Sequence, residues 1–206
     1  MNNYRWGILG TGIIAHEFAK GLRFLSNAEL YSVYNRTFEK AEDFSVKYGF
    51  RHTVKEFDSF LKDPKLDIVY IATPNHLHCE HAIRCMEAGK HVLIEKPMAL
   101  NVSQAEQIIQ VSRKNKRFCM EAMWSRFIPV YLKVKALLRQ KAIGDAVFLN
   151  ATFGHPIPYN QDRFRYSLEK GGGSLLDLGV YPISLALMLL GNPERVFGEC
   201  RKAESE

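Results

Sequence analysis

From Arg5 onward the chain alternates short apolar runs with longer stretches in which apolar residues recur every three or four positions. The first pattern suits a strand buried on both faces, the second an amphipathic helix. Strands are predicted at Arg5 to Leu9, Leu30 to Tyr34, Ile68 to Ala72, His91 to Ile94 and Phe118 to Glu121. Helices are predicted at Ile13 to Leu25, Phe38 to Tyr48, His78 to Ala88 and Ser103 to Lys114. Gly89 follows the third helix, and Ser103 with Glu106 reads as a capping box opening the fourth. Consecutive β-α-β units joined by short loops place the fold in the α/β class, as a doubly wound parallel sheet of Rossmann type.

After Glu121 the alternation changes. A loop containing Trp124 leads to a helix from Val130 to Gln140, a long strand from Ala146 to Phe153, a polar loop, a glycine run and a last apolar helix. One further strand fits around Arg195 to Glu199, before the polar tail Arg201 to Glu206. Residues 1–121 therefore read as a dinucleotide-binding domain and 122–206 as the first part of an α+β domain. Two strands rarely make a stable sheet, so that second sheet is expected to be incomplete at the C-terminal end.

The length of 206 residues suits a domain and part of another. Apolar content of 47% and charged content of 24% match a water-soluble enzyme. The net charge of +6 does not point to nucleic acid, because Lys and Arg are scattered through helical segments and form no stripe. No apolar run approaches the roughly 20 residues of a membrane span. Cys79, Cys85, Cys119 and Cys200 form no C-x-x-C pair and read as reduced thiols in a cytoplasmic protein.

The candidate cofactor site begins at Gly10-Thr11-Gly12-Ile13-Ile14-Ala15, between the first strand and first helix. Gly10 permits a tight turn, Gly12 lets backbone approach a pyrophosphate, and Ala15 is small enough for the helix to pack on the strand. The helix then offers its free N–H groups to phosphate. At the end of the second strand stand Asn35, Arg36 and Thr37, where an acid would hold the adenosine ribose of NAD. Without that acid, Arg36 and Thr37 suit a 2′-phosphate, so NADP is preferred over NAD. The plain alternative is a surface arginine beside a threonine helix cap. Thr73, Pro74, Asn75 and His76 end another strand and should line the nicotinamide side. His76, His78, Cys79 and His81 resemble a metal cluster only in spelling, because a helix starting near His78 would aim them apart. No metal is expected.

Glu95 and Lys96 close the next strand at the same sheet edge, and Lys96 is the first catalytic candidate, an ammonium able to polarise a carbonyl. Asp177 and Tyr181, four apart after the glycine run 171–173, would share a helix face if that segment is helical. Pro182 interrupts such a helix by leaving a carbonyl without its donor. An acid amid Leu, Gly and Val needs a partner, and Lys96 is a suitable one; the plain alternative makes Asp177 a helix cap.

The segments GTGIIA, ATPNHLH, EKPMALN, EAMWSRF and GGGSLLDLGVYPI together resemble the Gfo/Idh/MocA family of oxidoreductases, in order and over nearly the whole chain. Within that family the likeness is to the branch of NADP-dependent trans-1,2-dihydrobenzene-1,2-diol and D-xylose dehydrogenases. The resemblance implies that Lys96 is the active-site lysine, that Pro97 is often cis, and that Asp177 is a buried acid. It implies Tyr181 in the proton-transfer position, where many members carry histidine, and Trp124, Arg126 and Phe127 at the substrate pocket. It also implies hydride transfer with a secondary alcohol of a sugar or vicinal diol, further strands beyond residue 206, and a homodimer in the full-length form. Since some members of the family serve as NADP-binding regulators, a non-catalytic sensor is the second reading; the joint presence of Lys96, Asp177 and Tyr181 argues against it.

Overall fold

The computed structural model describes residues 3–156 and 164–199, so Cys200 and the tail 201–206 lie outside the described residues. Strands β1 (Tyr4–Leu9), β2 (Ala28–Tyr34), β3 (His52–Val54), β4 (Ile68–Ile71), β5 (His91–Ile94) and β6 (Cys119–Glu121) form one sheet in the order β3-β2-β1-β4-β5-β6. Every pair in it is parallel. Helices α1 (Ile13–Leu22), α2 (Phe38–Tyr48), α3 (Phe57–Lys62), α4 (His78–Glu87) and α5 (Val102–Asn115) connect the strands. This is the doubly wound arrangement expected for the first domain.

The two-residue period of the strands sorts the core onto two faces. Ile8 and Tyr70 join Ala15, Ala19, Ala41 and Phe44 on one side, against α1 and α2. Their neighbours Leu9 and Ile71 join Phe60, Ala82, Met86 and Ile108 on the other, against α3, α4 and α5. At the N-terminal ends of β1 and β4, the Asp67 carboxylate accepts the Arg5 amide and both forks of its guanidinium at 2.9–3.0 Å. Those bonds hold the Asp67 carboxyl below its usual range even though burial acts in the opposite sense.

Several boundaries differ from the pattern-based expectation. β3 and α3 were not foreseen, because three and six residues are too few to display a period. α1 stops at Leu22 rather than Leu25, capped by Arg23, and leaves Phe24 exposed. The cap of α5 is Asn101, not Ser103: its side chain accepts the Gln104 amide, and the Gln104 side chain accepts the Leu100 amide, both at 3.0 Å. The extended backbone at Asn101 allows this reciprocal pair two residues upstream of the Ser103–Glu106 match.

The chain divides into two compact units, Met1–Met123 with Pro156–Asp177, and Trp124–His155 with Leu178–Glu206. The second unit begins with a 3₁₀ turn, Trp124–Phe127, followed by α6 (Pro129–Arg139), whose proline occupies the first turn. A π-helical turn, Leu175–Gly179, runs into α7 (Val180–Leu190). Neither Ala146 to Phe153 nor Arg195 to Glu199 forms a strand. A strand exists through its ladder bonds, and among the described residues nothing pairs with either segment; Val147, Phe148, Val196 and Phe197 are exposed.

Gly7 sits inside β1 where a β-carbon would lie 2.7 Å from Phe60 Cζ and 2.8 Å from Leu66 Cδ1. Gly7→Ala should therefore lower stability by about 1–3 kcal/mol. Trimming the neighbour in a Gly7→Ala/Phe60→Leu double variant should recover part of that loss, as read from urea unfolding midpoints.

Candidate functional site

The glycine loop follows directly from β1. Gly10 has φ +93°, and a β-carbon there would lie 2.8 Å from the Ala72 carbonyl oxygen, so the loop abuts the end of β4. A β-carbon at Gly12 would meet nothing within 4 Å, leaving space in front of the loop for a bound group. The first intrahelical bond of α1 runs from the Ala15 amide to the Gly12 carbonyl at 3.0 Å. The amides before Ala15 thus point out of the helix start with no acceptor in the preceding turn, as a phosphate site requires.

Asn35 ties this loop to the end of β2. Its Nδ2 donates to Thr11 Oγ1 at 2.7 Å and its Oδ1 accepts the Thr37 amide at 2.9 Å. Thr37 precedes α2 as its cap residue but makes no side-chain cap bond, which leaves its hydroxyl, beside Arg36, outside the helix's own bonding.

At the end of β4, Thr73 and Pro74 lead into a 3₁₀ turn, Asn75–Leu77. Asn75 is buried, and its Nδ2 donates to the Gly171 carbonyl at 3.0 Å. That link crosses 96 positions of sequence and was not foreseen. Gly171 is held close, with φ +74° and a would-be β-carbon 2.2 Å from Leu100 Cδ2. His76 Nδ1 is buried without a hydrogen-bond partner, a polar atom that a bound group could satisfy. His78 is fully buried, with Nδ1 2.8 Å from the Pro97 carbonyl and Nε2 2.8 Å from the Thr73 carbonyl. The ring thus spans the two loops that end β4 and β5. Burial pushes its proton affinity down, against the pull of the two carbonyls. His81 Nδ1 meets Thr73 Oγ1 at 3.0 Å. Among the described residues no group of three or more His, Cys, Asp or Glu is placed to hold a metal ion.

Beyond β5, Glu95 turns into the core, where its carboxylate accepts the Tyr70 hydroxyl and the Lys96 amide. Burial raises its proton affinity, and those bonds oppose the rise. The Lys96–Pro97 peptide is cis. Lys96 Nζ donates to the Asp177 carbonyl at 2.5 Å and to Asp177 Oδ1 at 3.1 Å. The other carboxylate oxygen, Oδ2, accepts Arg165 Nε at 2.8 Å. Lys96 and Asp177 side chains are 14% and 15% exposed, so the pair is largely withdrawn from water and each charge depends on its partner. Arg165 was missed at the sequence level. Its signal was the second carboxylate oxygen of Asp177, which demands a second donor, but sequence alone does not choose among the cations of the preceding loop.

In the second unit, Trp124 Nε1 donates to the Tyr181 hydroxyl oxygen at 3.1 Å. Trp124 and Phe153 both stand edge-on to the Tyr181 ring, with centroids 6.1 and 5.2 Å away. Phe153, absent from the expected set, thus belongs to the Tyr181 surroundings. Arg126 Nε donates to Ser184 Oγ at 3.1 Å, and Phe127 is exposed.

Comparison with known proteins converges on one family. Residues 4–123 match the model of the GFO_IDH_MocA oxidoreductase family with an NAD-binding Rossmann fold, and 131–206 match a C-terminal domain of the same family. Trans-1,2-dihydrobenzene-1,2-diol dehydrogenase of Xenopus laevis is 38% identical over 196 residues, 93% of this chain and 59% of that protein. The Sus scrofa enzyme of the same name is 33% identical over 98% of this chain and 61% of its own length. The chain thus spans about three-fifths of the curated relatives it matches. Among solved structures, a variant of KijD10, a 3-ketoreductase from Actinomadura kijaniata in complex with TDP-benzene and NADP, superposes with TM-score 0.86 at 32% identity. That match covers 92% of this chain and 58% of KijD10. Levoglucosan dehydrogenase with NADH and levoglucosan gives TM-score 0.80 at 27% identity, over 92% of this chain and 54% of that one.

Burial lowers the His81 pKa to about 4. The unfolded chain then binds the proton more readily, so stability is fully present above about pH 6.5 and is lost as pH falls through the window from about 6.5 to 4. Melting temperatures across that window should fall more shallowly for His81→Gln than for the unaltered protein; parallel slopes would rule out this origin.

Proposed function

The chain belongs to the Gfo/Idh/MocA family of oxidoreductases, and on that premise we propose that it forms the cofactor-binding and catalytic part of an NADP-dependent dehydrogenase acting on a secondary alcohol of a sugar or vicinal diol. The observation that carries this reading is the Lys96–Asp177 pair, fixed at the same carboxyl edge of the sheet as the glycine loop.

Gly12 and the first amides of α1 would hold the pyrophosphate. Arg36 and Thr37 would hold the 2′-phosphate, in a stretch, 35–37, that carries no carboxylate to repel it. KijD10 with NADP and levoglucosan dehydrogenase with NADH show relatives handling both dinucleotides. The local charge at Asn35-Arg36-Thr37 favours NADP for this chain. Thr73, Pro74, Asn75 and His76 would border the nicotinamide, with the unsatisfied His76 Nδ1 offering a polar contact. Glu95, whose carboxylate is turned into the core, would contribute its backbone alone. Once bound, the nicotinamide supplies the acceptor for a hydride from the alcohol carbon.

Lys96 holds its ammonium toward the substrate oxygen, where it steadies charge as the C–O bond gains double-bond character. Tyr181 takes the hydroxyl proton during oxidation and returns it during reduction, so each alcohol loses one hydride and one proton. Trp124, by donating into the Tyr181 oxygen, leaves the hydroxyl proton to point elsewhere. With Arg126 and Phe127, Trp124 would border the substrate. The enzyme would work as a homodimer, a reading supported by exposed apolar residues such as Val130, Leu137 and Leu190 on the second unit. A cytoplasmic setting is supported by Cys79, Cys85 and Cys119, all free thiols.

NADPH formation should appear with aldose sugars or vicinal diols. Tyr181→Phe and Lys96→Met should each lower kcat by about a hundredfold or more; full turnover in both would remove them from the mechanism. Binding of dinucleotide without turnover on any substrate in the panel would favour a sensor. Arg36→Ala should weaken NADP about tenfold by fluorescence titration while leaving NAD nearly unchanged.

A further inference from the structure

β2 and β3 leave the carboxyl edge of the sheet side by side. Their last register pair is Tyr34 with Val54, so the next residues, Asn35 and Lys55, step off neighbouring parallel strands about 5 Å apart. From Asn35 the chain turns through Arg36 and Thr37 into α2, whose first residue, Phe38, comes back beside Lys55. The Lys55 ammonium stands 4.7 Å from the centroid of the Phe38 ring. Cation and ring attract, which keeps the head of this exposed lysine beside the 35–38 turn. Glu39 and Glu56 follow closely in sequence, yet among the described residues neither forms an ion pair with Arg36 or Lys55. A phosphate monoester carries roughly −1.5 to −2 charges at pH 7, more than one guanidinium balances. Arg36 supplies one positive charge where the 2′-phosphate is proposed to sit. Lys55 is a second cation, brought to that place by strand pairing and not by sequence proximity.

We propose that Lys55 is a specificity-determining residue, a second cation for the 2′-phosphate of NADP that adds to the preference over NAD. Its flexible stem and compact ammonium suit a contact made as a point charge, while Arg36 can offer a paired fork to the same oxygens. NAD carries only a hydroxyl at that position, so the Lys55 charge gains nothing from it. The contribution of an exposed ammonium is modest and falls with salt. The inference rests on the NADP reading of Asn35-Arg36-Thr37 and adds to it a residue from the neighbouring strand.

Titration with NADPH and with NADH at low salt, followed by the fluorescence of the dinucleotides themselves, tests the assignment. Lys55→Met keeps an apolar stem beside Phe38 and removes the charge; it should weaken NADPH about fourfold and leave NADH nearly unchanged. Lys55→Glu should weaken NADPH by about tenfold or more, and Lys55→Arg should bind it like the unaltered protein. At about 0.5 M salt the gap between Lys55→Met and the unaltered protein should close. A lysine that merely packs on Phe38 predicts no discrimination between the two dinucleotides in any of these variants. Unchanged NADPH affinity in Lys55→Met, or equal losses for NADPH and NADH, overturns the proposal. An unaltered protein that binds neither dinucleotide, or binds NADH as tightly as NADPH, overturns the NADP reading and this inference with it. Preference for NADPH that is lost in Arg36→Ala but kept in Lys55→Met and Lys55→Glu refutes the role of Lys55 alone.

Discussion

The site rests on how closely three strand ends meet at Gly10. Its amide bonds the Tyr34 carbonyl at the end of β2, while its α-carbon lies against the carbonyl of Ala72 after β4. Only a residue with no β-carbon and free access to positive φ satisfies both at once. Because β1 lies between β2 and β4, this close meeting places the glycine loop, the Asn35–Thr37 stretch and the Thr73–His76 loop along one edge. β5 adds Lys96 to the same edge, and His78 spans the Thr73 and Pro97 carbonyls between the two loops.

Polar groups in this part of the molecule are paired across long sequence distances. Glu95 is answered by Tyr70, Asn75 by Gly171, and Asp177 by Lys96 and Arg165. Pairing of this kind makes burial tolerable and fixes direction together, since each partner accepts only one orientation. Lys96 accordingly arrives at the sheet edge already aimed.

The glycine turn was legible in the sequence because its requirement is a backbone one that few residues meet. Lys96 and Asp177 were legible because a charged side chain in an apolar stretch needs a counter-charge, and only a few candidates offered one. Tyr181 was legible by resemblance, while the Trp124 and Phe153 rings beside it depend on folding that no spacing reveals. Arg165 stayed hidden because donor choice at a second carboxylate oxygen is set in three dimensions. The strand expected from Ala146 to Phe153 does not form, because pairing is a property of two segments and the described residues offer no second one. β3 and α3 fell below the length at which a period can be counted.

The polypeptide passes between its two compact units three times, after Met123, after His155 and after Asp177. The unit that holds the sheet is consequently not a continuous stretch of sequence. Cut after Met123, the gene would encode the entire parallel sheet and the glycine loop, yet it would strip Lys96 of both its carboxylate and its carbonyl partner and leave Asn75 without Gly171. A single cut after Met123 therefore keeps the glycine loop but not the Lys96–Asp177 pair. Recombination that exchanged only the N-terminal segment with a distant relative would have to import residues 164–177 with it, or lose the Asp177 contacts of Lys96 and the Gly171 contact of Asn75.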